Sequence, residues 1–413
     1  MTRGSRSVAW ERIIPTATLL LVSLLAAGPL WGPGLLNTRG GGDSPFLLLR
    51  THQLVANLRA GVIPARWMPE AAYGFGYPFF SYYAALPYYV AAGLELIGLD
   101  ILTAIKLTQT VFLAIAAFSM YRWAERVLHN RAGAWLAAVA YTTAPFHLVN
   151  LYVRGDSLSE FAAFAFLPLI LHGFDRLASQ PSVRRALLPA ASYAGLILTH
   201  NVSALIFSPF VLLYVGVHIA RRAGGVGPRS SLHGLRSLAL ALPLLIGLLL
   251  STWFWLPALA ETKYVQLTAQ TSGYFFYGNH FRRADLVQPS LLFDYATGQE
   301  SSSPFAMGSV QTALVLIGTL IASLRWAQAR FSPQRRSGAP ISGMSQSSQS
   351  LTFAFACLLI STWLITPFSR PVWDHVPLLP MAQFPWRFLS VQAVFASLLI
   401  GAAVPQGRVR QHS

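Results

Sequence analysis

Apolar runs long enough to cross a lipid bilayer recur along the whole chain, separated by short polar stretches. Backbone inside hydrocarbon must satisfy its own hydrogen bonds, so such runs cross only as helices or as a closed barrel. They lack the alternation of barrel strands, which favours helices. The pattern predicts an all-α polytopic membrane protein with about ten transmembrane helices, near residues 13–31, 101–121, 132–149, 157–174, 186–200, 202–220, 237–259, 308–324, 351–367 and 388–404.

Composition supports the same class and excludes a soluble enzyme, because 54% of the residues are hydrophobic and only 11% are charged. The net charge of +16 could indicate a nucleic-acid partner. However, most Lys and Arg residues lie in clusters after alternate apolar runs, as in cytoplasmic loops. We therefore expect no nucleic acid partner, a multi-pass protein of the cell (inner) membrane, and cytoplasmic positions for both termini.

The connections between spans divide into two sides under this topology. Residues 1–413 then form a single integral membrane domain, with long outer loops at 32–100 and 260–307 and a cytoplasmic linker at 327–350. Segment 83–98 is short and contains Glu95, so we expect an interfacial helix of the first outer loop there. Residues 186–220 could form two spans or one re-entrant hairpin.

The first outer loop holds the first group of candidate site residues. Asp43 precedes an amphipathic segment that contains Arg50, and it could either cap that helix or carry chemistry. An aromatic stretch follows, and it includes three candidate substrate-binding residues, Tyr77, Tyr82 and Tyr83. Such a stretch could be a simple interfacial belt, or a wall that binds a lipid-linked or sugar-bearing substrate.

The next outer turn places Arg154, Asp156 and Glu160 at a membrane edge, where ionisable groups are often functional. Ser157 and Glu160 also have the spacing of a capping box for the following span. His200 and Arg387 are further candidates on this side. No metal-binding helix spacing is present, and the lone Cys357 excludes an intrachain disulfide.

Several of these motifs together resemble a known bacterial membrane family. They are DSPFLLLR at 43–50, LRAGVIPARW at 58–67, YGFGYPFFSYYAALPYY at 73–89, YVRGDSLSEF at 152–161 and FPWRF at 384–388. The family carries the label "6-pyruvoyl-tetrahydropterin synthase-related", and it is similar to the GT-C superfamily of glycosyltransferases that use polyprenyl-phosphate sugars. The synthase label belongs to a soluble zinc enzyme, and this chain has no matching histidine cluster.

The resemblance implies a GT-C-like fold and transfer of a sugar from a polyprenyl-phosphate donor to an acceptor on the outer face of the membrane. It implies that Asp43 is a catalytic or metal-associated carboxylate and that Asp156 is a second one. Arg154 and Arg387 would then bind the lipid phosphate. The expected partners are a polyprenyl-phosphate-linked sugar and membrane lipid. The need for a divalent cation as cofactor remains open. Two alternative functions also remain open: a non-catalytic scaffold of the same fold, and a transporter or flippase of lipid-linked saccharide.

Overall fold

The computed structural model describes residues 3–35, 44–154, 157–224, 239–296, 304–331 and 342–405. Its helices follow the apolar runs of the sequence. In chain order the α-helices are α1 (Arg3–Ala27), α2 (Ser44–Arg59), α3 (Phe79–Tyr82), α4 (Leu86–Leu96), α5 (Ile101–Leu128), α6 (Arg131–Thr142), α7 (Pro145–Leu148), α8 (Leu158–Ala163), α9 (Phe166–Ser179), α10 (Val183–Thr199), α11 (Asn201–Gly224), α12 (Leu242–Leu250), α13 (Thr252–Ala260), α14 (Ser309–Phe331), α15 (Ser342–Ile365), α16 (Arg370–His375) and α17 (Leu389–Ala402). Two short strands, β1 (Val287–Gln288) and β2 (Met307–Gly308), pair in parallel.

Eight helical stretches of the described chain are long and apolar enough to cross a membrane. They are Ile13–Trp31, Ile101–Leu128, Arg131–Val153, Leu158–Ser179, Asn201–Arg222, Ser309–Gln328, Ser347–Ile365 and Pro385–Ala402. The all-α polytopic fold expected from the sequence is therefore confirmed. Helix α10 adds a 17-residue apolar segment, which is about 26 Å long at 1.5 Å per residue. Helix α4 has 11 residues and is only about 16 Å long, too short to cross.

One predicted span differs from the structure. The run at 237–259 is bent by 65° between α12 and α13 rather than forming one straight span. Ser251 lies at the bend, and its hydroxyl donates to the carbonyls of Gly247 and Leu248. Such bonding from a serine to the preceding turn bends helices. Within the expected linker at 327–350, the described residues at either side belong to helices, because α14 extends to Phe331 and α15 begins at Ser342.

Helix α17, the last in the chain, lies at the centre of the bundle, and all its residues are buried. Glycines let its neighbours approach closely. A Cβ atom added to Gly133 of α6 would lie 2.6 Å from the carbonyl oxygen of Gly401 in α17. A Cβ added to Gly318 of α14 would lie 2.1 Å from the carbonyl oxygen of Leu399. Small residues permit this backbone contact, which is how membrane helices pack without a hydrophobic driving force.

Connections gather at two opposite ends of the bundle. At one end, the Tyr82 hydroxyl donates to the carbonyl of Glu261 over 3.0 Å, which joins the two long loops. At the other end, the Asn130 side chain donates to the carbonyl of Pro405 over 3.0 Å. The first is called the site end below and the second the opposite end.

Candidate functional site

The site is built around Glu160, a carboxylate that is only 2% exposed in the first turn of α8. Arg154 precedes α8, and its Nη1 donates both to the Glu160 carboxylate and to Asn150 Oδ1, the latter over 2.6 Å. Ionised carboxylates are rarely buried unless an opposite charge compensates them. The short π-helical turn Val149–Val153 carries Asn150 and directs Arg154 back toward α8.

A second arginine reaches the same carboxylate from the far end of the chain. Arg387 Nε lies 3.4 Å from Glu160 Oε2, and Arg387 Nη1 donates to the carbonyl of Ala382 over 3.0 Å. Trp386 lies beside both arginines, with ring-to-guanidinium distances of 5.2 Å for Arg154 and 5.9 Å for Arg387. We call this group the Glu160 cluster. Its members are Glu160, Arg154, Arg387, Trp386 and His200.

His200 completes the cluster from the turn between α10 and α11. It is 5% exposed, and the charge of Glu160 acts on it from nearby. Burial lowers the pKa of His200, and this effect outweighs the nearby Glu160 charge, which raises it. The resulting pKa is about 3. Its Nδ1 accepts the backbone N–H of Ser203 at 3.2 Å. The ring is therefore neutral at physiological pH and carries its proton on Nε2.

The capping box expected at Ser157 and Glu160 is wrong. Ser157 occupies the N-cap position of α8, but its side chain makes no cap hydrogen bond. The hydroxyl instead donates to Asn150, and the Glu160 carboxylate binds the two arginines. Charge-assisted hydrogen bonds to guanidinium are stronger than a hydrogen bond to one backbone N–H. The tertiary contact with Arg387 thus overrides the local sequence pattern.

A second cluster surrounds Arg50 on the amphipathic helix α2. Its guanidinium lies 4.6 Å from the centre of the Phe79 ring and 5.3 Å from that of Tyr83, and its Nη1 donates to the Tyr88 hydroxyl over 3.1 Å. These residues are called the Arg50 box. The Ser159 hydroxyl of α8 donates to the carbonyl of Ala84, which attaches the first loop beside the Glu160 cluster.

The other two predicted tyrosines, Tyr82 and Tyr77, belong neither to the Glu160 cluster nor to the Arg50 box. Tyr82 bonds to the loop after α13 through Glu261, as described above. Tyr77 forms an isolated antiparallel bridge with Met68 and is 55% exposed. Trp386 was not predicted from the sequence, although it lies in the FPWRF motif. The ion pair of Arg66 with Glu261 at 2.7 Å was not predicted either. No spacing in the sequence indicates that second pair.

The two predicted catalytic carboxylates, Asp43 and Asp156, lie outside the described residues. Helix α2 begins at Ser44, immediately after Asp43, as the sequence pattern predicts. Among the described residues, no group of three His, Cys, Asp or Glu side chains could hold a metal ion. The described part of the site therefore supplies arginines, one buried carboxylate and a neutral imidazole.

Comparison with known families places the chain. A family model for the 6-pyruvoyl-tetrahydropterin synthase related domain, a membrane protein, matches residues 80–411. The chain belongs to this family. The match includes all of the Glu160 cluster but not Asp43 or Arg50. An uncharacterized protein of Lactococcus lactis subsp. cremoris is 26% identical over 249 residues, which cover 59% of this chain and 39% of that protein.

Solved structures of an oligosaccharyltransferase from Archaeoglobus fulgidus are also similar. The structure tethered to an acceptor peptide containing the NVT sequon is 13% identical, with a TM-score of 0.47, covering 93% of this chain and 49% of that one. The complex with an inhibitory peptide and a dolichol-phosphate is 12% identical, with a TM-score of 0.47, covering 94% and 50%. This chain thus spans about half the length of that enzyme.

Proposed function

We propose that this membrane protein transfers a sugar from a polyprenyl-phosphate donor to an acceptor at the site end of the bundle. The observation that carries the proposal is the convergence of Arg154 and Arg387 on buried Glu160, beside Trp386. Guanidinium groups bind phosphate oxygens through paired N–H donors. A rigidly held pair also stabilises the charge that develops on a departing phosphate.

The reaction would be a direct displacement at the anomeric carbon of the donor sugar. The acceptor hydroxyl oxygen attacks that carbon, the carbon–oxygen bond to phosphate breaks, and polyprenyl phosphate leaves with the bonding electron pair. The hydroxyl proton passes to a carboxylate acting as general base. We assign this role to Asp43, with Asp156 as the second catalytic carboxylate, on the resemblance to the GT-C superfamily.

Glu160 would serve as a positioning residue rather than as the base. Its Oε2 atom already contacts Arg154 and Arg387, and its side chain is 3% exposed. Holding both guanidinium groups before the donor arrives lowers the ordering cost of binding. His200, neutral and buried beside this pair, would donate a hydrogen bond from Nε2 without adding charge.

The Arg50 box and the tyrosines of the first loop would bind the rest of the donor. Aromatic faces and phenol hydroxyls suit a molecule that combines an apolar tail with a sugar. Phe75 and Tyr73, at the tip of this loop, are 89% and 102% exposed. Such exposed aromatic rings favour the membrane interface, where the polyprenyl chain and its headgroup meet.

Binding of undecaprenyl phosphate to the protein in lipid nanodiscs tests the proposal. Arg387→Gln should weaken binding at least tenfold, because a hydrogen bond to a charged group contributes roughly 1.5–3 kcal/mol. Arg184→Gln at the opposite end removes the same charge and should leave the affinity unchanged. Salt should weaken binding only partly, since ions do not screen burial of the tail. Binding of UDP-glucose without binding of undecaprenyl phosphate would refute the mechanism.

A further inference from the structure

A cavity at the opposite end of the bundle plays no part in the proposed transfer. It has a volume of about 830 Å³ including its open mouth, and it lies between the ends of α5, α9 and α15. Its lining includes Arg122, Arg126, His172 and Ser179. We propose that this cavity binds the phosphate group of an anionic ligand, supplied either by a phospholipid headgroup or by a soluble phosphate ester.

The carboxylates that line the cavity are engaged by other partners. Asp175 Oδ1 accepts the Tyr214 hydroxyl over 2.7 Å and lies 3.0 Å from His218 Nε2. Glu125 lies 3.4 Å from Arg131 and 3.7 Å from Arg122. Each carboxylate already has hydrogen-bonding or basic partners within the protein. The acidic groups therefore do not make the cavity a cation site, and no three metal-binding side chains are grouped among the described residues.

The remaining lining is rich in hydrogen-bond donors. Arg126 donates through Nη2 to the Asp175 carbonyl over 3.1 Å and to the Ser179 hydroxyl, so its guanidinium is held at the cavity wall. Arg122 lies one turn earlier on the same helix, with a side chain that is 63% exposed. Ser347 and Ser350 of α15 line the facing wall. Two guanidinium groups and several hydroxyls are the donors that phosphate oxygens accept.

His172 provides the observation that points to a ligand. It is only 7% exposed and lines the cavity, and its Nδ1 has no hydrogen-bond partner among the described residues. A buried polar atom without a partner costs roughly 1–3 kcal/mol. The His172 imidazole also lines the cavity, where a ring N–H can donate to a phosphate oxygen. Basic pockets between membrane helices bind anionic headgroups in this way.

Native mass spectrometry of the full-length protein with phosphatidylglycerol and phosphatidylcholine of equal chain length tests the lipid source. Phosphatidylglycerol should bind at least tenfold tighter. Arg126→Gln and His172→Phe should each remove most of this preference, because each deletes a donor to the phosphate. Arg184→Gln lies at the same end outside the cavity lining and should keep the preference. If Arg126→Gln lowers the melting temperature, Arg122→Gln and His172→Phe carry the test.

Calorimetric titration with inorganic phosphate and glycerol 3-phosphate tests the soluble source. Saturable binding that Arg126→Gln abolishes, without a lipid preference, would support the same cavity with a soluble phosphate ester as its ligand. Lipid preference without such binding would assign the headgroup. The proposal is overturned if neither ligand class binds preferentially, or if Arg184→Gln weakens binding as much as Arg126→Gln. No sugar donor enters these measurements, so the outcome is independent of the proposed transfer.

Discussion

Among single residues, Glu160 shows how a buried charge can organise a site in a membrane protein. Its carboxylate binds Arg154 from the preceding turn and Arg387 from a motif near the end of the chain. Each arginine is also fixed independently, by Asn150 and by the Ala382 carbonyl. Burying such a group is costly unless all its partners are in place. The cluster is therefore a rigid structural unit as well as a candidate phosphate site.

Glu160→Gln and Asp43→Asn each remove one negative charge with little change of volume. We expect the first to reduce stability and the second to reduce turnover. Glu160→Gln leaves two guanidinium groups without their carboxylate and should destabilise the protein by about 3 kcal/mol, as when a buried pair loses one partner. Asp43→Asn can still cap α2, so stability should be near normal while transfer from a polyprenyl-phosphate sugar falls at least a hundredfold. Thermal unfolding and turnover measure the two effects. Normal turnover of Asp43→Asn would leave Asp43 as a helix cap only.

His200 should remain neutral well below physiological pH. Burial lowers its pKa from 6.5 to about 3 in the folded protein, so the unfolded chain binds the proton first as the pH falls. The contribution of His200 to stability should thus be complete above about pH 6.5 and be lost progressively toward pH 3. Nitrogen chemical shifts of the imidazole should show the Nε2–H tautomer at pH 5. A doubly protonated ring at pH 5 would contradict this arrangement.

The sequence predicted four members of the Glu160 cluster as candidate site residues, but it predicted neither Trp386 nor the contacts among them. Arg154 and Glu160 are six residues apart, so their proximity follows from one turn of chain. Arg387 is distant in sequence, and its expected side of the membrane and the FPWRF motif indicated a role but no contact with Glu160. The capping-box prediction was wrong because a local pattern carries no information about a partner from another helix. His200 was chosen for its side of the membrane, whereas its tautomer depends on Ser203.

The positions of the helices along the chain were predictable where hydropathy alone determines them. The apolar runs predicted the positions of the spans. The shortness of segment 83–98 and the presence of Glu95 predicted that α4 is a short helix. The bend between α12 and α13 was not foreseen, because it depends on a single serine within an uninterrupted apolar run. The central position of α17 was also unpredictable, since burial against other helices and burial in lipid favour the same apolar residues.

Close helix packing at the centre should depend on Gly401. A Cβ atom there would lie 2.4 Å from the carbonyl oxygen of Gly133, so Gly401→Ala forces α6 and α17 apart. We expect a loss of about 1–3 kcal/mol, the usual cost of overpacking a core. Gly216→Ala in α11 is the matched control, because nothing lies within 4 Å of its added Cβ, and it should be neutral or slightly stabilising. Equal melting temperatures for both variants would contradict the packing.

Across the whole molecule, the two ends of the bundle differ in chemistry. The site end holds the long loops, the aromatic tip and the Glu160 cluster. Among the described residues, the opposite end holds the short turns between α5 and α6 and between α9 and α10, and the phosphate-binding cavity proposed above. The turn between α5 and α6 shows how short these are: His129 adopts a left-handed φ of 51°, and Asn130 caps the next helix. Arginine clusters at this end predict that it faces the cytoplasm, where basic loops accumulate.

Cysteine labelling with a membrane-impermeant maleimide tests this orientation of the molecule. The native Cys357 is fully buried, so replacing it with alanine gives a background without reactive thiols. Leu291→Cys and Ile97→Cys, at positions that are 80% and 76% exposed at the site end, should react in intact cells. Val183→Cys, 84% exposed at the opposite end, should react only after permeabilisation.

The reverse labelling pattern would mean that the Glu160 cluster faces the cytoplasm. A cluster on that side would have soluble nucleotide sugars as available donors, and this result would contradict the proposed use of a polyprenyl-phosphate donor. Labelling of Ile97→Cys only after permeabilisation, with Leu291→Cys still reactive in intact cells, would mean that the segment containing α4 crosses the membrane.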